Sequence, residues 1–134
     1  MSAGKQEKEE NGSPWVLIVE DDAVSRLLLL RIIARTKCRV HEASTVKAGL
    51  EFVRRQRYRL IFVDCHLPDG HGEEVVQFVR SRADRVCPAV GISSDDSAGN
   101  IKRIMQAGAE RFLCKPISNA EVAALLKQYC SGDG

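Results

Sequence analysis

Residues 59–72 read Arg-Leu-Ile-Phe-Val-Asp-Cys-His-Leu-Pro-Asp-Gly-His-Gly. The first part is a short apolar run that ends at Asp64, and the second part is rich in residues that form turns. A continuous apolar run followed by a turn is typical of a strand buried on both faces, as in a parallel sheet covered by helices. The segment therefore predicts a buried strand that carries the Asp64 carboxylate at its carboxyl end.

Two other apolar runs also end at charged side chains. Residues 15–19 (Trp-Val-Leu-Ile-Val) lead directly into the acidic residues 20–22 (Glu-Asp-Asp), and residues 111–114 lead into Lys115. The carboxyl ends of parallel strands meet at one edge of a sheet, where such folds bind their ligands. We therefore expect the acids and the lysine to line one pocket with Asp64.

The rest of the chain alternates short apolar runs with amphipathic stretches, which is typical of βα units. The predicted strands cover residues 15–20, 39–43, 59–64, 88–93 and 111–115. The predicted helices cover residues 24–36, 45–56, 73–82, 97–107 and 118–130. The pattern predicts an α/β fold, a doubly wound five-stranded parallel sheet with five helices.

The composition is that of one soluble domain. Of the 134 residues, 44% are hydrophobic, enough to bury a core; we expect a domain at 15–130, a disordered tail at 1–14 and a short tail at 131–134. The net charge of +2 is too small to indicate nucleic-acid binding, and no apolar stretch is long enough to cross a membrane. We expect a cytoplasmic protein, or a nuclear one in a eukaryote, that binds neither nucleic acid nor membranes.

The cysteines do not indicate a disulfide framework or a zinc site. There are five of them, an odd number, and no two are spaced as Cys-x-x-Cys. Cys65 and Cys114 adjoin Asp64 and Lys115, which leaves redox sensing as an alternative. Because free cysteine is among the most often buried residue types, we interpret these residues as core side chains.

The charged residues at the strand ends suit phosphoryl transfer. The carboxylates of Glu20, Asp21 and Asp64 would repel one another, and a divalent cation would relieve that repulsion. Mg²⁺ is the natural choice, since it binds one or two carboxylates together with phosphoryl oxygens and water. Asp64 can then act as the nucleophile towards phosphorus, while Ser93 and Lys115 stabilise charge on the phosphoryl oxygens.

Each of these residues also has a purely structural interpretation. Residues 20–22 can cap the following helix, Asp64 can open the turn, Ser93 can cap the fourth helix, and Lys115 can lie on the surface. Four such coincidences at one edge of one fold are less probable than one site. Within the acidic run, we expect Asp21 to bind metal and Asp22 to act mainly as the helix cap.

Four motifs in this order resemble the receiver domain of two-component response regulators. They are residues 16–22 (Val-Leu-Ile-Val-Glu-Asp-Asp), 63–72 (Val-Asp-Cys-His-Leu-Pro-Asp-Gly-His-Gly), 90–94 (Val-Gly-Ile-Ser-Ser) and 112–116 (Phe-Leu-Cys-Lys-Pro). The resemblance covers residues 15 to about 130. It implies a flavodoxin-like fold with the strand order 2-1-3-4-5, and a cis peptide between Lys115 and Pro116.

The resemblance also implies a phosphorylation site with its metal. Asp64 matches the aspartate that accepts a phosphoryl group from a phosphohistidine on a histidine kinase or histidine phosphotransfer protein. Asp21, Asp64 and the backbone carbonyl of His66 match the direct Mg²⁺ ligands, and Glu20 matches an acid that binds the ion through water. Lys115 matches the phosphate-binding lysine.

The same resemblance implies a switch that passes the signal to a partner. Ser93 matches the switch hydroxyl, and Phe112 stands where the family has a switch aromatic. The protein target is expected on the face formed by the fourth helix, fifth strand and fifth helix, and the chain is expected to be a monomer or weak dimer. His66 and Asp95 would flank the path of the hydrolytic water; we expect them to pair as a lid, the alternatives being that they activate water or point to solvent.

The function implied is that of a signalling switch rather than an enzyme, because it catalyses only its own phosphorylation and dephosphorylation. A diffusible shuttle, a phosphorelay intermediate and a phosphate sink remain open. One rival is a haloacid-dehalogenase-like phosphohydrolase, which needs a second aspartate two residues after the nucleophile, where this chain has His66. The other rival is a degenerate receiver that acts only as a binding module; it would lack one of the acids, Ser93 or Lys115.

Overall fold

The computed structural model describes residues 12–82 and 87–130. Of the two predicted tails, only residues 12–14 lie within the described residues. The strands of the main sheet are β1 (Trp15–Val19), β2 (Arg39–Ala43), β3 (Leu60–Asp64), β4 (Ala89–Ser93) and β5 (Arg111–Cys114). The helices are α1 (Ala23–Ile33), α2 (Val46–Arg55), α3 (Glu73–Ser81), α4 (Ala98–Ala107) and α5 (Asn119–Cys130). The five predicted βα units are confirmed.

The strands form one parallel sheet in the order β2-β1-β3-β4-β5, which confirms the predicted topology. The chain runs outward from β1 to β2 and then crosses back to β3, so the direction of winding reverses between β1 and β3. The register aligns Val19 with Val63 across this point, so that both strands end at the same level. A crevice at the carboxyl ends of β1 and β3 follows from this topology.

Both faces of the sheet are covered, which explains the continuous apolar runs in the sequence. Leu17 and Val19 of β1 pack in one core cluster with residues of α2, α3 and α4. Val16 and Ile18 point the other way and pack with residues of α1 and α5. Strands β1 and β3 are thereby buried along almost their whole length. Packing on both faces fixes the positions of their carboxyl ends.

Helix α1 ends at Ile33, three residues before its predicted end. The N–H groups of Arg35 and Thr36 donate to the carbonyls of Ile32 and Ile33, at 3.2 and 2.9 Å. These bonds span three residues instead of four, so they tighten the chain out of the α-helix. The amphipathic pattern continues through this turn, which is why the sequence extended the helix too far.

A short antiparallel hairpin follows β3 and was not predicted. It pairs residues 66–67 with residues 70–71. After it, the Gly72 N–H donates to the Cys65 carbonyl at 3.0 Å, and a Cβ on Gly72 would collide with the carbonyl oxygen of Asp64. The loop therefore folds back against the end of β3, which only a glycine at this position permits.

The cysteines divide by location, and none of the described ones forms a disulfide. Cys65 and Cys130 are buried, as interpreted from the sequence, but Cys114 is exposed, so its assignment to the core is wrong. Cys114 ends an edge strand, where a side chain can point away from the sheet. No helix within the described ranges has the length and apolar character to cross a bilayer.

Candidate functional site

The carboxylates predicted to meet do so at the carboxyl ends of β1 and β3. Glu20 and Asp64 are buried, whereas Asp21 is exposed at the mouth of the crevice. One oxygen from each of the three lies within 4.8 Å of the others. This spacing lets all three contribute ligands to a single metal ion.

Lys115, which directly follows β5, contacts both buried acids. Its Nζ lies 3.1 Å from Oδ2 of Asp64 and 2.9 Å from Oε1 of Glu20. Burial by itself would lower the pKa of Lys115, but the bonds to Glu20 and Asp64 outweigh it and raise the pKa. The ammonium is therefore charged and aimed at the oxygens of Asp64. The following peptide bond, Lys115–Pro116, is cis, as the resemblance implied.

The electrostatics of Glu20 show that these acids are crowded. Burial, together with a close contact to Asp64, raises the pKa of Glu20 to about 7. The N–H of Asp22 donates to Oε2 of Glu20 at 3.0 Å and opposes that rise. Lys115 supplies one positive charge against three carboxylates, so the cluster is short of positive charge and its hard oxygen donors fit a divalent cation such as Mg²⁺.

His66 places its backbone and its side chain in different surroundings. Its N–H donates to Oδ1 of Asp64 at 3.0 Å, so its peptide lies against the phospho-acceptor candidate. Its exposed imidazole lies across the mouth of the crevice, with Nε2 3.6 Å from Oδ2 of Asp95. The structure therefore places the backbone N–H of His66 against Asp64 and its imidazole near Asp95.

Ser93 and Phe112 lie on the strands beyond β3. Ser93 is buried at the end of β4, and its Oγ accepts the N–H of Asp95 at 2.9 Å. Phe112 is half-buried on β5, beside Gly91 of β4, and packs against the core that includes Ile104 of α4. The structure thus brings the proposed switch residues to adjacent strands, with Ser93 bonded to its own loop rather than to Asp64.

Asp22 caps α1, as the sequence indicated. Its Oδ2 accepts the N–H of Ser25 at 2.9 Å, and its backbone has the extended conformation of an N-cap residue. This bond and the hydroxyl of Ser25 lower the pKa of Asp22. Its side chain is not among the carboxylates that meet at the acidic cluster.

Two polar residues near the site were missed by the sequence interpretation. Asn100 is buried in α4, and its Nδ2 donates to the Asp95 carbonyl at 2.7 Å. Asn100 lies on the same face of α4 as the apolar residues Ile104 and Ala107, so the spacing of these residues could have predicted that it is buried. Asp69 in the hairpin turn bonds to the first residues of α2, and nothing local in the sequence indicates that contact.

A family model for the response regulator receiver domain matches residues 16–127. This chain belongs to that family. The receiver domain is 32% identical over 114 residues to the two-component response regulator ORR3 of Oryza sativa subsp. indica, which covers 84% of this chain and 87% of that protein. It is also 32% identical over 110 residues to the response regulator PilR of Pseudomonas aeruginosa, covering 82% of this chain and 24% of PilR.

Solved structures agree with this membership. A receiver domain of a putative LuxO repressor protein from Vibrio parahaemolyticus is 26% identical, with a TM-score of 0.79, and the match covers 87% of this chain and 89% of that one. The receiver domain of the sensor histidine kinase PA1611 from Pseudomonas aeruginosa is 25% identical, with the same TM-score of 0.79, over 87% and 97% of the two chains. That neighbour holds a magnesium ion in its active-site cleft. Membership in this family leaves the phosphohydrolase alternative without support.

Proposed function

We propose that this receiver domain accepts a phosphoryl group on Asp64 from a phosphohistidine, in a reaction that depends on Mg²⁺. The observation that carries the proposal is the position of Lys115 Nζ, 3.1 Å from Oδ2 of Asp64, beside the carboxylates of Glu20 and Asp21. A degenerate receiver that only binds partners would be expected to lack part of this set. We expect the donor to be a histidine kinase or a histidine phosphotransfer protein, which the receiver domain meets in the cytoplasm.

In the proposed reaction, a carboxylate oxygen of Asp64 attacks phosphorus, the bond between phosphorus and the donor imidazole breaks, and the imidazole takes up a proton. The positive charge of Lys115 stabilises the negative charge on the phosphoryl oxygens during the transfer from the donor. Glu20, Asp21, Asp64 and the His66 carbonyl would hold the metal. Mg²⁺, when bound, supplies charge neutralisation for the carboxylates and the phosphoryl group.

The switch would act through Ser93. Its Oγ accepts the Asp95 N–H, and after phosphorylation its hydroxyl would donate to a phosphoryl oxygen, a stronger charge-assisted bond. Movement of Ser93 would change the space available to Phe112 on the neighbouring strand. Phe112 would then have two alternative packings, and the bond from Ser93 to the phosphoryl group would favour one of them. The change would alter the face formed by α4, β5 and α5, to which a protein target would bind.

The donor protein would dock on α1. This helix begins next to the acidic cluster, and it carries exposed apolar side chains, Val24 at 67%, Leu27 at 52% and Leu28 at 38% exposure. An apolar face beside the acceptor fits a helical donor domain, which must bring its phosphohistidine to Asp64. Docking there leaves the face of α4, β5 and α5 free for the target.

The proposal is tested by intact-mass analysis with acetyl phosphate as the donor. With Mg²⁺, one phosphoryl group should be added to the wild-type chain, and none should be added when the metal is chelated. The Asp64→Asn variant should stay unmodified under the same conditions. Labelling of that variant to the wild-type extent would place the phosphorylation elsewhere and refute the assignment.

A further inference from the structure

The turn of the hairpin is tied to a distant helix by one side chain. Asp69 lies in the turn between the paired residues 66–67 and 70–71. Its Oδ1 accepts the N–H of Val46 at 2.7 Å, and its Oδ2 accepts the N–H of Lys47 at 3.1 Å. Both N–H groups belong to the first turn of α2, more than twenty residues earlier in the chain.

These are favourable bonds, because the first N–H groups of a helix lack partners within it. A carboxylate there also interacts favourably with the positive end of the helix. The bond from Val46, followed by that from Lys47, lowers the pKa of Asp69. The next N–H, that of Ala48, is satisfied by the N-cap hydroxyl of Thr45 at 3.0 Å.

The other end of the hairpin is attached to the phospho-acceptor. The His66 N–H donates to Oδ1 of Asp64 at 3.0 Å, and the Gly72 N–H donates to the Cys65 carbonyl at 3.0 Å. The hairpin is therefore held at both ends, at the carboxyl end of β3 and at the amino end of α2. Along the chain, the carbonyl of His66 lies between its own N–H, which makes the first attachment, and Asp69, which makes the second.

We propose that Asp69 is a positioning residue for the metal site: by holding the hairpin against α2, it fixes the His66 peptide so that its carbonyl faces the cluster of Glu20, Asp21 and Asp64. Asp69 does not itself touch the metal or the phosphoryl group. The proposal rests on the assignment of the His66 carbonyl as a ligand in the proposed function. Residues that orient ligands in this way affect metal affinity as well as stability.

The chain offers a matched control. Asp69→Ala and Thr45→Ala each remove side-chain acceptors from the same turn of α2, but only Asp69 also holds the hairpin. We expect Asp69→Ala to weaken Mg²⁺ binding by about tenfold, measured by calorimetry without any phosphodonor, and Thr45→Ala to leave it within about twofold. Amide exchange of His66 and Gly72 should accelerate in Asp69→Ala and not in Thr45→Ala.

A third variant, Asp69→Asn, keeps a carbonyl oxygen for one of the two N–H groups and should bind Mg²⁺ with intermediate affinity. It also serves as the test if Asp69→Ala does not fold. Equal Mg²⁺ affinity in wild type and in both Asp69 variants would overturn the inference, and so would equal weakening by Thr45→Ala. Failure of the wild-type chain to bind Mg²⁺ is a different result, which would overturn the proposed function itself.

Discussion

His66 and Asp95 approach each other across the mouth of the crevice, with Nε2 of His66 3.6 Å from Oδ2 of Asp95. His66 follows β3 and Asp95 follows β4, so the pair connects the loops on either side of the proposed phosphorylation site. The Asp95 carboxylate is held in place by the Ser97 N–H, which contributes most to lowering its pKa. The structure places these two side chains close together rather than apart in solvent.

The pair should slow hydrolysis of the phosphorylated protein by covering the approach of water. In His66→Ala and in Asp95→Ala we expect faster decay of phosphorylated Asp64, by roughly two- to fivefold, because two exposed side chains 3.6 Å apart make only a weak lid. The double variant should decay no faster than the single ones. Decay is followed by intact mass at saturating Mg²⁺; slower decay in either variant would mean that its side chain assists the water.

Asp21 and Asp22 are neighbours with separate expected roles. Asp21→Ala should abolish measurable Mg²⁺ binding or weaken it strongly, because it removes the exposed carboxylate of the cluster. Asp22→Ala should retain Mg²⁺ binding and lower Tm by a few degrees, since it loses the cap on α1. Calorimetry and thermal unfolding on both variants check this, and the reverse pattern would show that the acidic run is misassigned.

The exposed face of α1 should matter for a protein donor and not for a small one. Leu27→Glu should lower the rate of phosphotransfer from a phosphohistidine protein by tenfold or more, as a charge at the centre of an apolar interface does, and leave labelling by acetyl phosphate unchanged. Met105→Glu is the control, because Met105 is similarly exposed at 39% but lies on α4. Equal effects of the two variants would contradict docking on α1.

Ser93 should couple phosphorylation to the response. Ser93→Ala should still be labelled on Asp64, but the phosphoryl mimic beryllofluoride should no longer change amide exchange in α4 and β5. Ser94→Ala is the matched control, since Ser94 is exposed beside it. A wild-type response in the Ser93→Ala variant would exclude this route.

His41 should make stability depend on pH. It stacks between Trp15 and Phe52, and its Nδ1 lies 2.8 Å from the Tyr58 hydroxyl. Burial lowers the pKa of His41 in the folded protein, so the unfolded chain takes up the proton first as pH falls. The stabilisation from neutral His41 is therefore present above its ordinary pKa of about 6.5 and is lost as pH falls through the lower folded value.

The measurement compares wild type with His41→Phe, which keeps the stack and removes the titrating group. Urea unfolding at pH 7.5 and pH 5.5 can be followed through Trp15, the only tryptophan in the chain. The loss of stability between these two pH values should be smaller in the variant. An equal loss in both proteins would show that other groups account for it.

Much of the fold follows from local patterns in the sequence. The apolar runs ending at Glu20, Asp64 and Lys115 predicted both the strands and the edge at which those charges meet, because a parallel sheet aligns its carboxyl ends. The capping role of Asp22 was also predictable, since a cap bonds to an N–H only two or three residues away. The family motifs then supplied the strand order, which local patterns do not contain.

Tertiary packing decided what depends on distant parts of the chain. Residues 27–30 are four consecutive leucines, so periodicity could not say which ones face the core; packing against the sheet buries Leu29 and leaves Leu27 exposed. The pairing of His66 with Asp95 likewise required adjacent β3 and β4. Asp69 reaches α2 only because the hairpin folds back there. The local sequence Pro-Asp-Gly predicts a turn but does not indicate which helix its aspartate contacts. Contacts within a few residues are set by the local sequence, whereas contacts between separate elements exist only once the sheet has brought those elements together.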